Sequence, residues 1–427
     1  MIRGEILLSN IKEILKNHKN TYKFILKLKR IIKFLFKSNN LIKLLKQKLN
    51  LINAIKTTIM NANTTGEIII NIKDESYETA SFIKVYDLVI RGEVEIKSPK
   101  LDIIKYTNTT VFSSSDFILC EEGVVWEKFY MPQFMRITPH DEDLLKIENN
   151  QIFIKKPSEY KKVKIGYSLC GVHSKIWAHF LVQYLPKLYL ISDLIKATNQ
   201  EITIILPNYS DPQIRELVFN YISKFNNIDV LELKSGEVAV CDILYHISNT
   251  AYLSDHVGYI SPADSIIPKF VTDSIKKNLI DENSYADKVK NEKKNKNEDK
   301  LYIARGGQRN IINSIEIEKY FVEKGYLVIS PHKVTFSEKI RLFRNASIIA
   351  GPMSSGFSNT IFCKKGTKVL MFSNFQRIFE PYWGYFAKGF DIDITAVTGY
   401  DKCPNDPHSS YTVPLIKIKS ACDELGI

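Results

Sequence analysis

The sequence predicts an α/β protein of two doubly wound domains behind a basic α-helical amino-terminal segment. Three observations carry this reading. Strand-like and helix-like runs alternate along the chain, most regularly after residue 300. A polar stretch at 281–300 divides the alternation. All of the excess positive charge is gathered in residues 1–60. A length of 427 residues exceeds one ordinary core, and 44% hydrophobic with 25% charged residues is a globular composition.

Residues 1–60 contain 14 of the 59 lysines and arginines but only two of the 47 acids, Glu5 and Glu13, which leaves 45 of each sign beyond them. Lys12, Lys16, Lys19, Lys23, Lys27 and Arg30 recur at spacings of three and four, one stripe of a helix. Ile11, Ile14, Leu15, Ile25, Leu28, Ile32 and Leu35 lie off that stripe, and Ser38-Asn39-Asn40 interrupts it. Lysines break every apolar stretch, so neither a spanning helix nor a secretory leader is expected. A basic amphipathic helix suits an anionic membrane surface, so a peripheral position at the inner, cytoplasmic face of the cell membrane is expected. The electrically neutral remainder offers no basic face for nucleic acid. Six cysteines without a Cys-x-x-Cys pair, and eight dispersed histidines, argue against a disulfide framework or zinc site and suit a reducing cytosol.

Residues 61–280 read as the first α/β domain. Strands are expected at Glu67–Ile70, Val85–Ile90, Asp116–Cys120, Ile202–Leu206 and Val230–Leu233, with helices over Trp177–Ile195 and Asp211–Lys224. Residues 281–300 (DENSYADKVKNEKKNKNEDK) are almost without apolar side chains and read as the linker. In 301–427 the expected strands are Leu301–Ala304, Tyr326–Ile329, Ala346–Ala350 and Lys368–Phe372. The helices are Ser314–Glu323, opened by an Asn313/Ser314 cap, Thr335–Arg344 and Ser355–Cys363.

The run Gly351-Pro352-Met353-Ser354-Ser355-Gly356-Phe357-Ser358-Asn359 joins a strand to a helix. Small residues there let a ligand approach the backbone, and amides at a helix amino terminus bind phosphate oxygens. Ser354, Ser355 and Ser358 add hydroxyl donors, while Gly356 also suits tight packing. Arg305 follows the preceding strand, and its planar guanidinium matches a diphosphate. Pro331-His332-Lys333-Val334 follows the strand between them. In open α/β sheets such loops share the carboxyl ends of the strands, where ligands bind.

These pieces, in this order, resemble glycosyltransferase family 61. Ile303-Ala304-Arg305, Asn313-Ser314, Phe336-Ser337-Glu338, Gly351 to Asn359 and Gly366-Thr367-Lys368-Val369 look like that family's carboxy-terminal motifs. Trp177-Ala178-His179-Phe180-Leu181-Val182-Gln183-Tyr184-Leu185-Pro186-Lys187-Leu188 resembles its amino-terminal His-Trp motif, and 255–262 has some of its character. The resemblance covers about residues 116–374. It departs at Met353, where the family has histidine, at Ser354-Ser355 for a Gly-Ala pair, at Gln183 for an acid, and at Ile176 for an asparagine.

The resemblance implies a GT-B fold of two Rossmann-like domains, the first holding a glycan or lipid-linked glycan acceptor and the second a nucleotide-sugar donor, uridine-linked. It implies inverting transfer to a hydroxyl of a capsular or lipopolysaccharide-type glycan precursor, with no cofactor or metal required. The donor-binding set is then Arg305, Arg309, Val334, Ser354, Ser355, Gly356 and Asn359. An inverting transfer needs a base that titrates near working pH. His179 is preferred, with Asp255, His256 and His173 as alternatives among which the sequence does not choose. The rival reading is a catalytically inactive glycan-binding or scaffold subunit of a polysaccharide-assembly complex, in which Met353 and Gln183 mark lost chemistry.

Overall fold

The computed structural model describes residues 54–60, 66–88, 93–126, 141–209, 211–253, 265–281, 298–305, 310–403 and 409–427. The basic stripe, Asp255, His256, Arg309 and nearly all of the expected linker lie outside the described residues. What they show is a mixed α/β architecture with two large sheets, each combining parallel and antiparallel strands. Among the described residues no helix is long and apolar enough to cross a membrane.

In the first sheet Ile228–Leu233, Ile202–Pro207, Glu159–Ser168 and Glu237–Ile247 lie side by side in parallel. The chain leaves Glu159–Ser168 in one direction for its next two strands, then returns to its other side as Glu237–Ile247. In open α/β sheets such a reversal is where the connections diverge at the carboxyl ends. A mostly antiparallel extension begins at Leu101–Phe112 and ends with Gln151–Ile154 and Leu144–Glu148. Ile55–Met60 forms part of that extension, pairing with Gln151–Ile154 and Val124–Val125. The end of the segment expected to be helical is therefore a strand, because its residues complete a ladder formed with residues far along the chain.

The second sheet runs Leu327–Ile329, Lys300–Ile303, Ile348–Pro352, Lys368–Asn374 and Asp393–Asp401, all parallel. Its central strands are buried on both faces, and successive side chains enter opposite layers as the pleat requires. Tyr302, Leu370 and Phe372 pack with Ile317, Phe321, Ile418 and Cys422 of the helices Ser314–Glu323 and Leu415–Leu425. Leu301, Ile303, Ile349 and Met371 belong instead to the larger core with Ile340, Phe343 and Phe357. That larger core continues into the first sheet's helices, so apolar packing joins the two halves.

Three expectations change. Of the expected strand at 85–90, Val85 belongs to the short strand Lys84–Val85, which pairs with Thr395 and Ala396 of the second sheet. Residues 86–88 are not in a strand, and 89–90 lie outside the described residues. A piece of the amino-terminal half thus completes the carboxy-terminal sheet. Asn313 occupies the cap position of its helix but its side chain does not cap it. It donates to the Val413 carbonyl (2.9 Å) and accepts from the Val413 amide (3.2 Å), because buried backbone groups need partners. Glu298, at the end of the expected linker, is buried and paired with Arg341.

A closely packed helix pair also joins the halves. Pro381–Phe390 lies against Lys269–Ile275, and a Cβ on Gly389 would fall 2.4 Å from Thr272 Cγ2. Only glycine permits that approach without displacement. Gly351 is constrained twice. Its φ of +147° disfavours a side chain, and a Cβ there would stand 2.5 Å from the Ile303 carbonyl oxygen.

Candidate active site

The helical segment after the first strand of the reversal has an irregular centre with a covalent cause. Pro186 has no amide hydrogen for the Val182 carbonyl and its ring would crowd that oxygen. The chain widens into a π turn over Phe180–Tyr184 before resuming as Leu185–Tyr189. Thr250 Oγ1 then donates to the carbonyls of Val182 (2.9 Å) and Gln183 (3.1 Å). The widened turn aims Gln183 inward, where it is buried. Its Nε2 donates to the Ala251 carbonyl at 3.2 Å, which leaves Oε1 to face His179 Nδ1 at 2.8 Å. A carbonyl only accepts, so the amide orientation is determined and His179 Nδ1 must carry its hydrogen. In a neutral ring the basic lone pair is then on Nε2. The His173 ring stacks on His179, with centroids 4.2 Å apart.

The second sheet reverses at Lys300–Ile303, which pairs with Leu327–Ile329 on one side and Ile348–Pro352 on the other. A cleft of about 310 Å³ lies at these carboxyl ends, lined by Arg305, Pro331, His332, Ser354, Ser355, Gly356 and Asn359. Trp177, Asp211, Gln213 and Lys339 line it too. Of the expected donor residues, the fold therefore brings Arg305, Ser354, Ser355, Gly356 and Asn359 together.

The Arg305 guanidinium donates to the Met353 carbonyl, and burial lowers its pKa from the usual arginine value. It remains a cation, because arginine keeps its proton in proteins. Ser354 begins the 3-10 helix Ser355–Phe362 without its side chain capping it. Asn359 is only 1% exposed; its Nδ2 donates to the Gly356 carbonyl at 2.7 Å, while buried Oδ1 has no hydrogen-bond partner. An unpaired buried acceptor in a cleft is a place for a ligand donor.

Other expected contributions do not reach the cleft. Ser358 is fully buried and bonded to Tyr382 Oη at 2.9 Å. Val334 does not line the cleft, and its carbonyl accepts from Gln213 Nε2, so it anchors the loop to the first half. Gly356 sits where a Cβ would meet Ile303 Cγ2 at 3.1 Å and Pro331 Cγ at 3.4 Å, so packing by itself favours a small residue. The side chain at position 353 is buried, with Ser373 Oγ against its sulfur at 3.4 Å.

His179 does not line this cleft but is tied to it. Trp177, two residues earlier, lines the cleft and meets Phe336 edge-on at 6.0 Å. Tyr382 Oη, bonded to Ser358, also donates to the Ala178 carbonyl at 3.4 Å. One tyrosine thus holds the residue before His179 against the helix that forms the cleft. The sequence reading missed Lys339, Gln213, Asp211 and Trp177 as lining residues. The only local hint was a lysine in the otherwise apolar face of its helix, where Phe336, Ile340 and Phe343 are also buried.

The cleft lies at a strand-order reversal and carries Arg305 and a helix amino terminus, an arrangement that suits an anionic ligand. Residues 177–370 match the family model described as Glycosyltransferase 61. This match spans a little under half of the chain but includes every cleft residue, His179 and Gln183. It supports family 61 and, in general terms, glycosyltransferase activity acting between a sugar donor and a glycan acceptor. No curated protein matches the chain.

Proposed function

We propose that the protein transfers a sugar from a nucleotide-diphosphate donor, uridine-linked, to a hydroxyl of a cell-surface glycan precursor with inversion at the anomeric carbon. The observation that carries this is the grouping of a desolvated Arg305 with the amino terminus of Ser355–Phe362 and the unpaired Asn359 Oδ1 in one cleft. We read the two sheets as the Rossmann-like domains of a GT-B enzyme, the halves 61–280 and 301–427 holding acceptor and donor.

In this mechanism His179 Nε2 takes the acceptor hydroxyl's proton as the oxygen attacks the anomeric carbon. The bond from that carbon to the diphosphate oxygen breaks, and the electron pair leaves with the phosphate. Arg305 and the helix terminus stabilise that charge by preorganised electrostatics, so no metal is required in the proposal. Gln183 is neutral and acts only by holding the His179 tautomer. Asp255, His256 and Arg309 remain candidates of the same site, and residues 1–53 are proposed to seat the enzyme on an anionic membrane surface at the inner face of the cell. A capsular or lipopolysaccharide-type acceptor follows from that location.

Nucleotide sugars screened by thermal shift test the donor; one at about 100 times its dissociation constant should add roughly 2.7 kcal/mol of stability. Radiolabelled transfer to glycan precursors then tests the reaction, with His179→Ala expected to abolish it. Donor binding without hydrolysis or transfer would replace this reading with an inactive glycan-binding subunit.

A further inference from the structure

One group of cleft-lining residues has an excess of hydrogen-bond donors. Lys339 is 3% exposed, yet its ammonium donates to a neutral group, the Gln213 amide oxygen, and lies 4.3 Å over the Trp177 ring. The Trp177 Nε1–H is buried without a hydrogen-bond partner. Asp211, the carboxylate that acts on Lys339 through space, is occupied in capping its helix, accepting from the Gln213 amide at 2.8 Å. Gln213 is held in turn by the carbonyls of Val334 and Pro331, so the amide that receives Lys339 cannot turn away. A buried ammonium held against a neutral amide and an indole face destabilises a fold unless an anion completes its surroundings.

We propose that Lys339 is the second anion ligand of the cleft and takes an oxygen of one donor phosphate, while Arg305 and the helix terminus take the other. This rests on reading the cleft as the donor site and deepens it. Two cations that reach the cleft from different elements select a diphosphate over a monophosphate donor. The residue is contributed by the second half but positioned by Gln213 and Trp177 of the first, so the anion site is complete only when the halves are packed together. Burial lowers the Lys339 pKa to about 8, with Asp211 opposing the shift. Anion binding should therefore weaken as pH rises through that value and the ammonium loses its proton. Arg305, His332 and Asp211 are the other charged or titratable groups at the cleft.

The test is calorimetric titration of the full chain with inorganic pyrophosphate, uridine diphosphate and uridine monophosphate between pH 6.5 and 9.5. Wild type and His332→Gln should both lose about tenfold in diphosphate affinity across the upper part of this range, as expected for removal of one charge-assisted contact. Lys339→Met should bind the diphosphate about tenfold or more weakly, show no such decline and change little toward the monophosphate. Lys339→Arg should keep the affinity and lose the decline, because arginine stays charged throughout. The unliganded Lys339→Met protein should melt no lower than wild type, since a buried charge has been removed. Wild-type pyrophosphate affinity in a folded Lys339→Met protein would overturn the assignment, as would an equal loss toward monophosphate and diphosphate. Failure of wild type to bind any of the three would overturn the donor-cleft reading itself.

Discussion

His179 Nδ1 lies 2.8 Å from Gln183 Oε1, one turn along the same helical segment, and the amide is oriented by the Ala251 carbonyl. Gln183 is neutral where the resembling family has an acid. It can select the tautomer but cannot stabilise an imidazolium. Gln183→Glu should therefore raise the pKa of His179 and move the acid limb of the pH–rate profile upward by about 1 unit or more. Gln183→Leu should lower kcat about tenfold or more while leaving donor KM unchanged, since only orientation is lost. Nitrogen-15 NMR of the imidazole tests the tautomer without any assay. An Nε2–H tautomer in the neutral wild-type ring would contradict the assignment.

Arg305→Ala removes the cleft's desolvated guanidinium. Loss of a charge-assisted contact should weaken nucleotide binding by about 1.5–3 kcal/mol. Gly356→Ala places a methyl 3.1 Å from Ile303 Cγ2, tighter than ordinary contact, so Ile303 must shift slightly. Gly356→Val forces a branched side chain against Ile303 and Pro331 and should disturb the cleft more. Calorimetry with melting curves separates a binding loss from a folding loss. Wild-type affinity in folded Arg305→Ala would show that the donor binds elsewhere.

Thr250→Val should leave the Val182 and Gln183 carbonyls without their donor while keeping side-chain shape. Buried and unsatisfied, they should destabilise the fold by about 1–3 kcal/mol. Denaturant unfolding measures this, and an unchanged midpoint would mean that the π turn needs no such support.

Asp141 is a buried carboxyl pushed up to about 7, chiefly by burial, although Ser115 Oγ donates to it at 2.6 Å. Between its unfolded value near 3.8 and its folded value, the folded state holds a proton that the unfolded state has released. Stability must therefore fall as pH rises across that window. The effect is fully established above about 7. Asp141→Asn should flatten this decline, read as the difference in melting temperature between pH 5 and pH 8. An identical pH dependence in the variant would remove Asp141 as its source.

Residues 1–60 contain two different parts. A chain beginning at Asn61 lacks the strand Ile55–Met60 and should be destabilised, because the ladder with Gln151–Ile154 is lost. A chain beginning at Ala54 should melt like the full protein and retain soluble-acceptor turnover. It should also lose binding to anionic liposomes, which for the full chain should weaken in high salt, the Debye length being about 8 Å at 0.15 M. Liposome binding by the Ala54 chain equal to that of the full chain would exclude a membrane role for the basic segment.

The sequence by itself determined the alternating carboxy-terminal elements and five cleft residues, Arg305, Ser354, Ser355, Gly356 and Asn359. Those features are local: each strand is a short apolar run, each helix has its own period, and the residues follow strands directly. Leu101–Phe112 escaped notice because Asp102, Lys105, Asn108 and successive threonines hide its pattern. Asp102 and Lys105 find distant partners instead, in Asn71 and Glu67. Lys84–Val85 joins the far sheet, with Lys84 bonded to Asp393. Tertiary structure alone decided the tautomer of His179 and the burial of Lys339 beside Trp177 and Gln213. The Lys339–Gln213 contact spans 126 residues and depends on how the two halves pack. No local pattern of charge or periodicity encodes it, because what makes that ammonium chemically distinctive is the water removed from around it.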